Sequence, residues 1–124
     1  PWEASFAADA DRNIGKILED LSHSPDWDDT TVFITARSAS TGLDHIDSHR
    51  TFLLIAGPWV KRTHLWRTNA SFPALTRAIL ELLQLPPMSL RDAAAPLLRN
   101  AFTTTRNRSV MTLIEPDKRL FSAP

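Results

Sequence analysis

The chain has 124 residues, 43% of them hydrophobic and 23% charged, with fourteen Lys/Arg balanced by fourteen Asp/Glu. That is enough for one domain with a real core and too little for two ordinary ones, and zero net charge gives the chain no bulk attraction for nucleic acid or an anionic membrane. The absence of cysteine excludes disulfides and thiolate metal sites.

The charge is unevenly placed. Residues 1–50 carry ten Asp/Glu and four Lys/Arg, whereas residues 51–124 carry four and ten. Two such halves either pack on each other or form two solvated faces, since surface charges are worth little individually. No stretch approaches the ~20 apolar residues of a membrane helix, and no signal peptide is visible. The sequence opens at Pro1 and runs almost at once into a helical pattern, so it reads as a piece of something longer.

The first predicted helix covers 9–22. Ile14, Ile17, Leu18 and Leu21 fall at i, i+3, i+4 and i+7, a single apolar stripe, and Asp9 or Asp11 can cap its start. SHSPDWDD (22–29) is a loop, because Pro25 pushes its predecessor out of helical geometry. The acidic cluster Asp26, Asp28 and Asp29 within it lacks the alternation and closing glutamate of a calcium loop, so turn chemistry before a strand is its expected role.

TVFIT (31–35) and FLLIA (52–56) are short apolar runs bounded by polar loops, the pattern of strands buried on both faces. Gly57-Pro58 stops the second. Between them lies the long polar connector 36–51, a candidate functional loop. The stretch Trp59-Val60-Lys61-Arg62, with His64, Trp66 and Arg67, mixes aromatic and basic residues. It suits either phosphate or base contacts or an amphipathic loop with its tryptophans tucked under a domain.

The second clear helix is predicted over 71–83, with Phe72, Leu75, Ile79, Leu82 and Leu83 as the stripe that covers a sheet and Pro73 in the tolerated first turn. Pro86-Pro87 ends it. Ser89 to Asp92 has capping-box form and opens a shorter helix, which Pro96 breaks or kinks. TTTRNRS reads as loop, and VMTLI (110–114) as a last strand. Helices alternating with strands give an α/β layer as the fold class.

The densest chemistry is DHIDSHR at 44–50. His45 and His49, four apart, share one face of either a helix or an extended chain, so both imidazoles can reach one ion at about 2.0–2.1 Å. Asp44 or Asp47 can be a third ligand or the acceptor that fixes a histidine tautomer. The competing reading is a capped turn, with both aspartates bonded to local amides. H-x-x-x-H without the zincin glutamate does not decide between them.

Three stretches in this order, ADADRNIGKILEDLSHSPDWDDTTVFIT, GLDHIDSHRTFLLIAGPWVKR and SFPALTRAILELLQLPPMSLRDAAAPLL, resemble the C-terminal part of the phosphoesterase family. This is the bacterial acid phosphatase and phospholipase C-type branch of the alkaline phosphatase superfamily. The likeness covers about 8–102, with 103–124 as a C-terminal extension of a single domain 1–124. It implies the C-terminal part of a three-layer α/β sandwich, with a mostly parallel sheet, flanking helices and a metal centre at the strand ends. It implies a hydrolase of phosphate esters, small molecules or phospholipids, in which a Ser or Thr nucleophile is activated by divalent metal (zinc, manganese or calcium).

The nucleophile belongs to an N-terminal half that this sequence does not contain, so no catalytic residue is assigned here. The resemblance assigns metal ligation to Asp44, His45, Asp47 and His49. Where relatives carry an acidic-Asp-Asp triplet after the first strand, this sequence has Ala36, Arg37 and Ser38. Arg37 repels an ion in a poorly solvated site, but with Arg50 it can grip a phosphate or carboxylate. Three expectations follow: a hydrolase part, catalytically impaired in this chain alone; a non-catalytic interaction or scaffold domain derived from that fold; or an anion-binding module. Open sheet edges predict self-association or pairing with the missing half. Nucleic acid and a transmembrane segment are not expected, and exported relatives imply a periplasmic or secreted location.

Overall fold

In the computed structural model, which describes residues 2–36 and 51–121, five regular elements form: α1 (Trp2–His23), β1 (Val32–Thr35), β2 (Leu53–Ala56), α2 (Phe72–Leu82) and α3 (Leu90–Ala94). Three single 3-10 turns, Pro25–Asp29, Arg99–Ala101 and Lys118–Leu120, sit between or after them. The chain divides into two compact units, Pro1–Pro58 with Asn107–Pro124, and Trp59–Arg106. No helix among the described residues is long and apolar enough to cross a membrane.

In the first unit, α1 begins well before the predicted Asp9. The preceding residues, from Glu3 to Ala8, are rich in alanine and contain neither Gly nor Pro, so nothing stops the helix from extending toward its N-terminus. The apolar stripe is only partly covered: Ile14, Leu18 and Leu21 are half-buried and Ile17 is exposed. The predicted loop at 22–29 holds the 3-10 turn Pro25–Asp29, with Pro in its first turn and Trp27 buried under it.

The last strand predicted at 110–114 does not form. That segment instead runs beside α1 and satisfies its amides with side chains. Met111 N donates to Ser22 Oγ at 2.9 Å and Leu113 N to Glu19 Oε1 at 3.2 Å, while Arg12 and Glu115 form an ion pair at 2.8 Å. The geometry follows from two periods. Residues 12, 15, 19 and 22 line one helix face over about 15 Å of rise, and 111, 113 and 115 point one way along about 13 Å of extended chain. Gly15 stands opposite Leu113, whose Cδ1 lies 2.7 Å from where a Cβ would be.

β1 and β2 pair antiparallel in the register Val32↔Ala56, Phe33↔Ile55, Ile34↔Leu54 and Thr35↔Leu53. Mixed α/β structure is therefore present, but the sheet among the described residues is two-stranded and not parallel. The chain leaves β1 and re-enters β2 at the same end of the strand pair, as antiparallel pairing of consecutive strands requires. Although both strands read as buried on two faces, every residue of β1 is only half-buried and Leu54 is exposed.

In the second unit, α2 lies where its signals put it, between Ser71 at the N-cap and the Pro86-Pro87 stop. Its orientation differs from the prediction. The buried face is Ala74 and Ala78, with Leu80, whereas Phe72, Ile79, Leu82 and Leu83 of the predicted stripe are exposed and Leu75 is half-buried. The small face lets neighbouring backbone approach closely, and Arg77 uses that proximity. Its Nη1 donates to the carbonyls of Ala93 at 2.7 Å and Ala95 at 2.5 Å, where α3 ends before Pro96. α3 starts as predicted, with Ser89 Oγ accepting from Asp92 N at 3.3 Å. A bridge between Val60 and Phe102 closes the unit over buried Leu98 and Ala101.

Candidate functional site

The connector between the strands is where the sequence concentrates ligand-capable residues, and its two ends are held together. Thr35, the last residue of β1, donates from Oγ1 to the carbonyl oxygen of Phe52 at 2.7 Å. The bond lies beyond the final strand pair Thr35↔Leu53 and extends the ladder with a side chain. On the opposite side of β2, Gly57 and Pro58 are buried, and Pro58 O accepts from Asn107 N at 2.8 Å. The two strands thus form a short root, clamped at both ends, from which one polar segment departs after Ala36 and to which it returns at Thr51. Loops that carry chemistry need such rigid supports.

The residues predicted to hold an ion or anion are Asp44, His45, Asp47 and His49, with Arg37 and Arg50. All six lie outside the described residues, as does Ser38. Of the triplet that stands where relatives are acidic, Ala36 is described. It is half-buried at the exit of β1 and offers a methyl group to any ligand. Among the described residues no three His, Asp or Glu side chains come together in a way that could hold a metal ion. These residues alone do not fit a divalent ion.

The acidic cluster forms no cage. Asp26 and Asp28 lie in the first turn of the 3-10 segment, and Thr30 Oγ1 donates to Asp26 O at 2.7 Å. The segment is a turn before a strand, as expected, but this bond runs from the Thr30 hydroxyl to the Asp26 backbone and not from an aspartate side chain. The aromatic-basic stretch has a mixed outcome. Trp66 is half-buried, with His64 edge-on to it at 6.3 Å and 76°, while Trp59 is exposed on the chain leading into the loop.

Thr35 is the structural support of the candidate site that sequence reading missed. Threonine at a strand end is common, and only the register shows that its hydroxyl faces the returning chain. Comparison with protein-family models, with curated proteins and with solved structures finds no match in any of the three.

Proposed function

We propose that this chain is the C-terminal part of a phosphoesterase-family domain of the alkaline phosphatase superfamily, derived from a metal-assisted phosphate-ester hydrolase and impaired in that activity. The β1–β2 pair would then belong to a larger, mostly parallel sheet in a three-layer sandwich, completed by strands of an N-terminal half that also supplies the nucleophile. The observation that carries this reading is the order strand, polar connector, strand, with both connector ends tied at one end of the strand pair by Thr35 and Phe52. The antiparallel register would be that of a local strand pair within such a sheet; what supports the reading is that the held connector begins at the carboxyl end of β1, where open α/β sheets bind ligands.

The impairment is argued from charge. A divalent ion gives up hydration only if carboxylates offset its charge, and a methyl group at Ala36 with a guanidinium at Arg37 reverses that balance. Asp44, His45, Asp47 and His49 would remain as donors. When bound, the ion would supply Lewis-acid stabilisation of phosphoryl oxygens. The chain's own contribution is to hold the connector at a fixed root.

The second reading, a non-catalytic interaction domain built on the same fold, is favoured by the exposed stripe Phe72, Ile79, Leu82 and Leu83, since apolar patches mark contact surfaces. One pair of measurements separates the two. Hydrolysis of p-nitrophenyl phosphate and of a phosphodiester analogue is followed for the longest natural gene product with added zinc, manganese or calcium. Zinc and manganese binding to the chain is followed by calorimetry with His45→Ala as control. Turnover, or stoichiometric binding lost in His45→Ala, supports the hydrolase reading. Neither turnover nor binding overturns it in favour of the second.

A further inference from the structure

We propose that the loop between Lys61 and Arg67 is an interfacial anchor that docks the Trp59–Arg106 unit on an anionic phospholipid bilayer. The proposal goes beyond the hydrolase reading and uses none of its residues.

The loop has a fixed root. Val60 is buried and pairs with Phe102, Lys61 N donates to Ala101 O at 2.9 Å, and Thr103 N donates to Trp59 O at 2.9 Å. Two residues on, Thr63 adopts φ 52, a left-handed conformation that a β-branched residue takes only when its surroundings impose it. Beyond that turn Leu65 stands 70% exposed, with Lys61 and Arg67 both at the surface of the same loop. An aliphatic tip beside cations, on a root that costs little further ordering, is what an anionic membrane interface selects.

The charge of the unit points to the same partner. Its 48 residues (59–106) carry seven Lys/Arg and two Asp/Glu. Of those two acids, Glu81 is paired with Arg99 at 2.9 Å and Asp92 is buried. Seven cations against two acids leave the unit a formal charge of +5, with Lys61, Arg67 and Arg91 exposed, although the whole chain is neutral. Met88 and Leu90, exposed by 76% and 89%, repeat the combination beside exposed Arg91. A single-stranded nucleic acid would instead need exposed ring faces to stack on. Here Trp66 is half-buried and met edge-on by the exposed His64, and the other exposed ring, Trp59, sits at the root and not in the loop, so the loop offers no run of free ring faces.

The test floats the full 124-residue chain with vesicles of phosphatidylserine and phosphatidylcholine in equal parts, and with phosphatidylcholine alone. The chain is expected on the mixed vesicles only, and to be released by salt. Lys61→Gln and Arg67→Gln should each weaken partitioning about fivefold, and Leu65→Ser about tenfold, with unchanged circular dichroism. Leu65→Trp should strengthen it. Failure to float with the mixed vesicles overturns the proposal. So does equal partitioning of Leu65→Ser and the parent chain, or a Leu65→Trp chain that gains nothing. Tight binding of a single-stranded oligonucleotide, undiminished in Leu65→Ser and without flotation, would assign the loop to nucleic acid instead.

Discussion

Ser22 and Met111, 89 positions apart, share a hydrogen bond in which the buried hydroxyl accepts from the Met111 amide at 2.9 Å while donating to Glu19 O at 2.9 Å. This one side chain satisfies an amide that a neighbouring strand would otherwise have to satisfy, so the 111–115 segment can lie on a helix. Ser22→Ala leaves the amide without its acceptor in a half-buried position. The expected cost is about 1–2 kcal/mol, read as a lower urea midpoint with an unchanged slope. An unchanged midpoint would mean that the tail does not dock on α1 in solution.

Gly15 lies under the same segment. Alanine there gains about 1 kcal/mol of helix propensity but brings a methyl group to 2.7 Å from Leu113 Cδ1. The tip of a leucine side chain can rotate away, at about 0.5–1.5 kcal/mol if it leaves its rotamer well. The two effects nearly cancel, so Gly15→Ala alone should change stability by less than about 1 kcal/mol. The informative measurement is a double-mutant cycle with Leu113→Ala, in which the pair should couple favourably by about 1 kcal/mol. Strict additivity would place Leu113 away from the helix.

Arg77 closes the end of α3 from the neighbouring helix. Replacing it with methionine keeps the aliphatic stem and removes both donors to Ala93 O and Ala95 O. Loss of charge-assisted bonds of this kind costs about 1.5–3 kcal/mol when the partner is left buried, as at Ala95, and less at Ala93, which is exposed. The effect should be local: hydrogen exchange of amides at 93–95 should speed up in Arg77→Met, while amides of α1 keep their protection. Uniform loss of protection would contradict this assignment.

How far the sequence specified this fold depends on which kind of signal is asked for. Punctuation was legible: Ser71, Pro73 and Pro86-Pro87 bound α2, and Ser89 caps α3 through Asp92 N. The inward face of α2 was not, because a stripe of large apolar side chains and a stripe of alanines are both periodic, and only the packing partner decides which is covered. Phe72, Ile79 and Leu83 stayed outside while Ala74 and Ala78 went in. β1 and β2 were legible as apolar runs, but their antiparallel pairing is a property of the return path and not of either run. The same holds at the candidate site. The polar connector stood out by composition, whereas the bond from Thr35 to Phe52 depends on register alone.

The Lys118–Leu120 turn carries a pH-dependent contact. Asp117 accepts from the Arg119 guanidinium and, at 2.9 Å, from the Arg119 amide, and these bonds hold its carboxyl below the ordinary range. The guanidinium is raised in turn by the same side-chain bond. A depressed carboxyl favours the structured turn above its unfolded pKa, and this contribution disappears as pH falls through the folded one. In a carboxyl NMR titration Asp117 should titrate at lower pH than a free aspartate, and Arg119→Gln should move it upward. Because the carboxyl is exposed, added salt should weaken the effect. A titration unaffected by Arg119→Gln would rule the contact out.

Restoring acid at the exit of β1 tests the origin of the proposed impairment. Ala36, Arg37 and Ser38 are the positions where the family resemblance calls for carboxylates, and Arg37→Asp both removes a repelling cation and adds a donor. If His45 and His49 still face that exit, manganese or zinc affinity by calorimetry should rise about tenfold or more in Arg37→Asp. It should fall again in Arg37→Asp with His45→Ala. The gain should fade on acidification, because protonated imidazole cannot bind an ion. Arg37→Gln separates the two contributions, since it removes the charge without adding a ligand: affinity midway between parent and Arg37→Asp is expected. An Arg37→Asp chain that binds no ion more tightly than the parent would mean that 36–38 and 44–49 never shared a site.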